Sequence, residues 1–398
     1  MAVLRVHLKG GLLMSKRNIY IMYVISLLQG MVFYGPIATL YRQAEGVSIL
    51  EITIIESISL ALCLSLELPW GVIADKIGYK KTMLICCVLY FVSKIIFWQA
   101  TGFFGFLAER CLLSVVISGL SGVDTSVLYL SCDKKESQHV FGVYEALGTA
   151  GLLLAAFIYS TVIGEQYKLA GLFTMISYGI AAILAFFLKE VKAEEEINAG
   201  SKEFVSLLKE TITNKYLFLF LIGIAVFNET HQTITVFLNQ LQYVRAGLSD
   251  VMIGYIYIVV TIIGLCGVFS AKMTKLLGRA GLMRSCYIAA AIACICLAVT
   301  NRAWLSVLGI IILRIVFSLA QPLQTELQNA QVRTVNRATS LSINAVIIDS
   351  IGIGTNIIFG ALAKYNLVSA FSFGAILCAA GLVLFEIWNR GTKKKFII

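Results

Sequence analysis

Apolar residues along this chain gather in stretches of span length, not in the short amphipathic runs of a soluble fold. Twelve such stretches, bounded by charges or by Gly and Asn, run approximately 18–40, 49–73, 82–98, 103–130, 140–163, 169–188, 216–241, 251–271, 285–300, 303–320, 338–363 and 368–388. About 20 helical residues cross a hydrocarbon core about 30 Å thick, whereas barrel strands are about 10 residues long and alternate in polarity. Lipid admits only helices or closed barrels. The pattern therefore predicts an all-α polytopic membrane protein with twelve transmembrane helices in two six-helix, pseudo-symmetric halves.

Composition agrees: of 398 residues, 59% are apolar and only 14% charged, with a mean hydropathy of +0.87, which excludes an ordinary soluble enzyme. The net charge of +10 sorts by topology. Arg42, Lys168, Arg245, Arg302 and Lys364 fall in the turns on one side, against 24 Lys and Arg in the tails, linker and turns of the other. The positive-inside rule then places both termini in the cytoplasm of a cell-membrane protein, with no nucleic-acid partner needed. The expected domains are a cytoplasmic tail over 1–17, a six-helix bundle over 18–188, a linker over 189–215, a second bundle over 216–388 and a basic tail over 389–398. In the linker, Phe204, Val205, Leu207, Leu208 and Ile212 keep the spacing of an interfacial helix. Met14 opens a second plausible start, MSKRNIY.

Nine ionisable residues fall well inside the predicted spans: Glu56, Lys94, Glu109, Arg110, Asp124, Glu145, Glu229, Arg314 and Asp349. At about 3 kcal/mol each in lipid, they would cost roughly 27 kcal/mol, so they must face one another or a water-filled interior. Helical spacing identifies the wet faces. Span seven carries Asn228, Gln232, Thr235, Asn239 and Gln242, flanked by Glu229 and His231; span ten carries Arg314, Ser318, Gln321, Thr325 and Gln328. Span four adds Arg110, Ser114, Ser118, Ser121 and Thr125, and span one chiefly Ser26 and Gln29. Depth predicts a carboxylate–guanidinium cluster of Arg314, Glu229 and Asp349 near the midplane, and a Glu56–Arg110 pair nearer the outside. Lys94, close to an outer end, is expected to snorkel toward Glu51 or Glu109.

The two halves repeat landmarks. The turn after span two reads GVIADKIGYKK and that after span eight AKMTKLLGR, setting Gly78 and Gly278 200 residues apart. Arg110 and Arg314 are each followed four residues on by Ser114 and Ser318. Parallel repeats of this kind build secondary transporters. The segment Gly71-x-x-Ala74-Asp75-Lys76-x-Gly78-x-Lys80 resembles the loop signature of the major facilitator superfamily, in its expected place between spans two and three. Arg110, the SGVD at Ser121–Asp124 and the RATSLS at Arg337–Ser342 resemble further positions of that superfamily's bacterial, efflux-like members. The resemblance implies a cavity lined by spans one, four, seven and ten, and a conformational latch made by Gly71, Asp75, Lys76, Gly78 and Lys80. Tyr79 replaces the usual Arg, and Lys275 stands where a second Asp would be.

No Walker loop is present, and the ten cysteines form no CxxC, so no cofactor, metal or ATP is expected and the chain reads as no enzyme. Span five reads Gly148-Thr149-Ala150-Gly151 without the Gly-Pro of many drug–proton antiporters; its glycines are expected to let the halves pack closely. The expected activity is alternating-access transport of a small organic solute by a monomer. Proton-coupled efflux of a drug-like compound or metabolite leads, with proton-coupled uptake of a polar nutrient or a non-transporting receptor as alternatives. The substrate or proton would meet Gln29, Arg110, Asn228, Glu229, His231, Gln232, Arg314 and Asp349, with Glu56, Asp124, Glu145 and Asn344 behind them.

Overall fold

The structure, a computed structural model, describes residues 2–120, 123–132, 137–191, 209, 211–331 and 337–395. Twelve helices among them are long and apolar enough to cross a membrane. In order, as spans one to twelve, they are Lys16–Ala44, Ile49–Leu66, Tyr79–Gln99, Gly102–Ser131, His139–Ile163, Tyr167–Ala185, Lys215–Arg245, Asp250–Leu277, Arg279–Val299, Ala303–Gln328, Ile343–Tyr365 and Leu367–Gly391. No strand occurs among the described residues. Exposed Phe104, Val162, Val268, Leu276 and Val299 form an apolar exterior that water would not tolerate and lipid does. All ten cysteines are free.

The chain divides into two compact units, one of residues 1–47 and 58–196, the other of 48–57 and 197–398. The first turns of span two thus group with the second unit, where Ser57 Oγ donates to the Ile353 carbonyl at 3.2 Å. Of the proposed linker helix, Phe204, Val205, Leu207 and Leu208 lie outside the described residues, and Ile212 is exposed.

Each unit repeats the other's layout at a shift of 200 or 201 residues. Span three runs from 79 to 99 and span nine from 279 to 299; spans four and ten begin at 102 and 303. Spans three and nine start before their apolar runs do. The cause is a glycine in the left-handed region, Gly78 (φ 93°) and Gly278 (φ 73°), which ends one helix and lets the next begin at once. By this register Arg110 and Arg314 are not equivalents. Arg110 matches Ile311 and Arg314 matches Leu113, so the Arg-to-Ser echo in the sequence is displaced by three residues along the helix.

The first unit contains a broken span. Helix stops at Gly30, the chain runs non-helically through Tyr34, makes one 3-10 turn over Gly35–Ile37 and resumes at Ala38. Gly30, Gly35 and Pro36 explain the place: glycine lowers helix propensity and Pro36 has no N–H to give. The freed polar groups are met by span six. Ser177 Oγ donates to the Leu28 carbonyl at 2.6 Å, Tyr178 Oη to the Gln29 carbonyl at 2.5 Å, and the Phe33 N–H donates to Thr174 Oγ1 at 2.9 Å. Span seven has its irregularity at the matching place, but as a π-helical stretch over Thr233–Leu238 that keeps its bonds inside the helix.

Span five packs on span one through glycine. A Cβ at Gly151 would strike the Leu27 carbonyl, and one at Gly30 the Gly148 carbonyl. These glycines therefore serve a helix contact within the first unit, not the contact between halves expected from the sequence. Gly151→Val is expected to lower stability by about 1–3 kcal/mol through overpacking. Gly354→Ala, where a Cβ meets nothing within 4 Å, is expected to lower it not at all. Melting curves of the purified protein compare the two.

Candidate functional site

The second unit builds a polar site around Asn228, Glu229 and Gln232 of span seven, whereas Gln242, at the far end of the expected stripe, is fully buried and donates to the Thr300 carbonyl and to Ser306 Oγ. Glu229 is half-buried; its Oε1 accepts from Thr233 Oγ1 at 2.6 Å, one turn on. The same hydroxyl faces Asn356 Oδ1 of span eleven at 3.3 Å. Gly352 lies beside the other carboxylate oxygen: an added Cβ would stand 3.0 Å from Glu229 Oε2. Asp349, Gly352 and Asn356 follow at steps of three and four, so they share the face of span eleven that meets Glu229. Asn228 is half-buried, its Oδ1 without a hydrogen bond among the described residues, and Gln232 is exposed.

His231 points elsewhere. Its ring stacks on Phe317 of span ten at 3.8 Å between centroids, and Thr235 Oγ1 lies 3.3 Å from Nε2. Arg314, one turn before Phe317's position, turns toward span eight. A Cβ at Gly264 would stand 2.6 Å from Arg314 Nε, so only glycine leaves room for the guanidinium there. The backbone of span eight tightens into a 3-10 helix over Gly264–Phe269 at this contact, and Gly267 admits the Ser318 carbonyl next to it. No carboxylate lies within ion-pair distance of Arg314 among the described residues. The expected Arg314–Glu229–Asp349 cluster is thus divided, because Glu229 faces span eleven while Arg314 faces span eight. Asn344 is buried near the start of span eleven.

In the first unit, Gln29 sits at the edge of the break and its Nε2 donates to Cys87 Sγ at 3.5 Å. Arg110 is half-buried, and its carbonyl accepts from Ser114. Asp124 takes hydrogen bonds from the Thr125 N–H at 2.6 Å and from Tyr144 Oη at 3.4 Å, tying span four to span five. Glu145 is exposed and Glu56 buried. Lys94 does not snorkel. It is only 3% exposed, with Nζ 3.1 Å from Glu109 Oε1 and 3.0 Å from Tyr34 Oη. Tyr34 stacks face to face on Phe97 at 3.8 Å. Of the two partners expected from the sequence, Glu109 is the one Lys94 meets, but in a buried centre with Tyr34 and not at the membrane edge, because depth counted from the end of the apolar run does not register what the helix packs against.

At the loop signature, Lys76 is exposed, and the surroundings of Gly71 and of the Asp75 side chain lie outside what the structure describes. Gly78 and Lys80 meet a partner the motif does not contain. Glu190, just past span six, accepts from the Lys80 N–H at 3.1 Å and lies over Gly78, a carboxylate placed at a helix N-terminus. The matching position in the second unit is Arg390, and nothing lies within 4 Å of a Cβ at Gly278.

Comparison with known proteins agrees with this architecture. A family model described as Major Facilitator Superfamily matches residues 19–355. An uncharacterised MFS-type transporter of Methanocaldococcus jannaschii is 24% identical over 208 residues, 51% of this chain and 53% of that protein. An uncharacterised transporter of Buchnera aphidicola is 24% identical over 40% of each chain. The chain spans about half the length, or less, of these curated relatives. Among solved structures, the nucleoside transporter NupG superposes with a TM-score of 0.75 at 16% identity, covering 95% of this chain and 98% of that one. A D-xylose-proton symporter gives 0.70 at 13% identity, covering 92% and 96%.

The Arg314 contact is open to test. Gly264→Ala is expected to displace the guanidinium and lower the melting temperature, and Arg314→Leu in the same chain to recover most of the loss. A double-mutant cycle should then show a coupling of about 1 kcal/mol or more.

Proposed function

From the premise that the chain belongs to the major facilitator superfamily and is a multi-pass membrane transporter, not an enzyme, we propose that it moves a small organic solute by proton-coupled alternating access. The observation that carries the reading is Glu229. Its carboxylate sits at mid-depth on the polar stripe of span seven, held by the Thr233 hydroxyl and not by a cation. Proton binding there neutralises a charge inside the bilayer without first breaking an ion pair, and Asp349 on the facing helix gives the proton a neighbouring acceptor. Asn228 and Gln232 beside Glu229 are the groups of the second unit that would meet the solute, and Asp75 with Lys76 and Lys80 would act as the latch. The distribution of Lys and Arg supports both termini on the cytoplasmic side of the cell membrane, where the chain would act as a monomer.

We favour export of a drug-like compound or metabolite against proton entry. Uptake of a polar nutrient with protons is the second reading, supported by likeness in fold to a nucleoside transporter and to a D-xylose-proton symporter. In liposomes loaded with a pH-sensitive dye, internal acidification on adding uridine or D-xylose outside marks symport, and internal acidification as preloaded ethidium leaves marks antiport. Glu229→Gln and Asp349→Asn are each expected to abolish proton-linked flux, by about a hundredfold or more, while solute exchange at equal concentrations on both sides persists. Full coupling in both variants would remove them as proton carriers.

A further inference from the structure

Lys94, Glu109, Tyr34 and Tyr178 form a buried centre in the first unit, and the repeat supplies its control. At the register shift of 200, Tyr34, Lys94 and Tyr178 match Ile234, Cys294 and Cys378; at the shift of 201 that holds in spans four and ten, Glu109 matches Ile310. All eight side chains are buried in their units. The same site in the same fold is thus filled once by apolar and thiol groups and once by an ion pair with two phenols. The helix packing does not require the charges. A buried ion pair adds little net stability over well-packed apolar groups, so a gain in stability does not account for them either.

What separates the two units at this place is the span beside it. In the second unit span seven stays closed through its π-helical stretch, and the positions of span six that cap the break, Thr174, Ser177 and Tyr178, are matched by Gly374, Leu377 and Cys378. In the first unit span one is open, and the charged centre grips the opening from two directions. Lys94 Nζ bonds the hydroxyl of Tyr34, the last residue of the open segment. The Tyr178 ring faces the same ammonium at 5.6 Å, while its hydroxyl bonds the freed Gln29 carbonyl. Tyr90 at 5.3 Å and Phe97 at 6.0 Å complete the aromatic wall around the cation. Glu109 supplies the charge that lets Lys94 remain in this dry place, through Oε1 alone, since Oε2 has no hydrogen bond among the described residues.

We propose that Lys94 and Glu109 are positioning residues of the transport cycle, whose ion pair clamps the break at residues 31–37 of span one in its observed geometry. The inference rests on the carrier reading, and its first test needs no solute. Hydrogen exchange of the full chain in lipid nanodiscs is followed in peptides covering 28–37, for wild type, K94M/E109Q and K94R. In K94M/E109Q exchange there should quicken about tenfold, the worth of one charged hydrogen bond, with the melting temperature unchanged, and K94R should restore it. Unchanged exchange, or a quickening spread over the whole unit that K94R shares, would make the centre mere packing and overturn the proposal. Should K94M/E109Q fail to fold, K94C/E109I, which keeps Tyr34 and Tyr178 and takes the residues the second unit uses at the two charged positions, is read by the same criteria. In a second arm, proteoliposome flux of uridine, D-xylose and ethidium should fall about tenfold in the folded variant; equal flux in variant and wild type overturns the proposal. If the wild type moves none of these, the carrier reading loses its support, and the exchange arm still decides the role of the pair.

Discussion

Hydrocarbon offers no hydrogen bonds, and the rest of this structure follows from that constraint. Helices meet it internally wherever they are regular, so the places where they are not regular have to be supplied by a neighbour. Span one opens between Gly30 and Ile37, and span six answers with Thr174, Ser177 and Tyr178. The partnership fixes which helices touch. Span five closes on span one through Gly30 and Gly151, because a side chain at either would strike a carbonyl of the other helix and push the break away from its donors.

The same constraint governs the charges. Lys94 and Glu109 tolerate burial because each neutralises the other at 3.1 Å among aromatic rings that present their negative faces to the ammonium. Glu229 is held differently, by the Thr233 hydroxyl and beside the bare backbone of Gly352. Arg314 takes a third course and lies against the bare backbone of Gly264. Spans that read alike in the sequence carry three distinct electrostatic arrangements.

Duplication made the two units alike in backbone and left their chemistry free to diverge. Gly78 and Gly278 keep the same left-handed turn, yet Glu190 covers the first while Arg390 occupies the position that matches Glu190. The open span and its charged centre are found in one unit, and the π-helical stretch beside Glu229 in the other.

The sequence by itself determined the class of fold and the number of spans, because hydrophobic length is a one-dimensional property and twelve runs of it leave no other solution. It determined the superfamily through one loop, since a left-handed glycine between two helices constrains local backbone wherever it occurs. It also marked the stripe containing Glu229, because helical spacing converts directly to a face. The partners of those side chains were decided only by tertiary structure. Glu229 and Arg314 lie at similar depth, and depth cannot say that one faces Gly352 and the other Gly264. Gly30, Gly35 and Pro36 make a weak point in span one that hydrophobic length does not register, and Thr174, Ser177 and Tyr178, some 140 residues away, decided that it would stand open. Lys94 was misplaced for the same reason: whether a lysine reaches for water or for Glu109 depends on what the next helix sets beside it, and sequence distance carries no record of that.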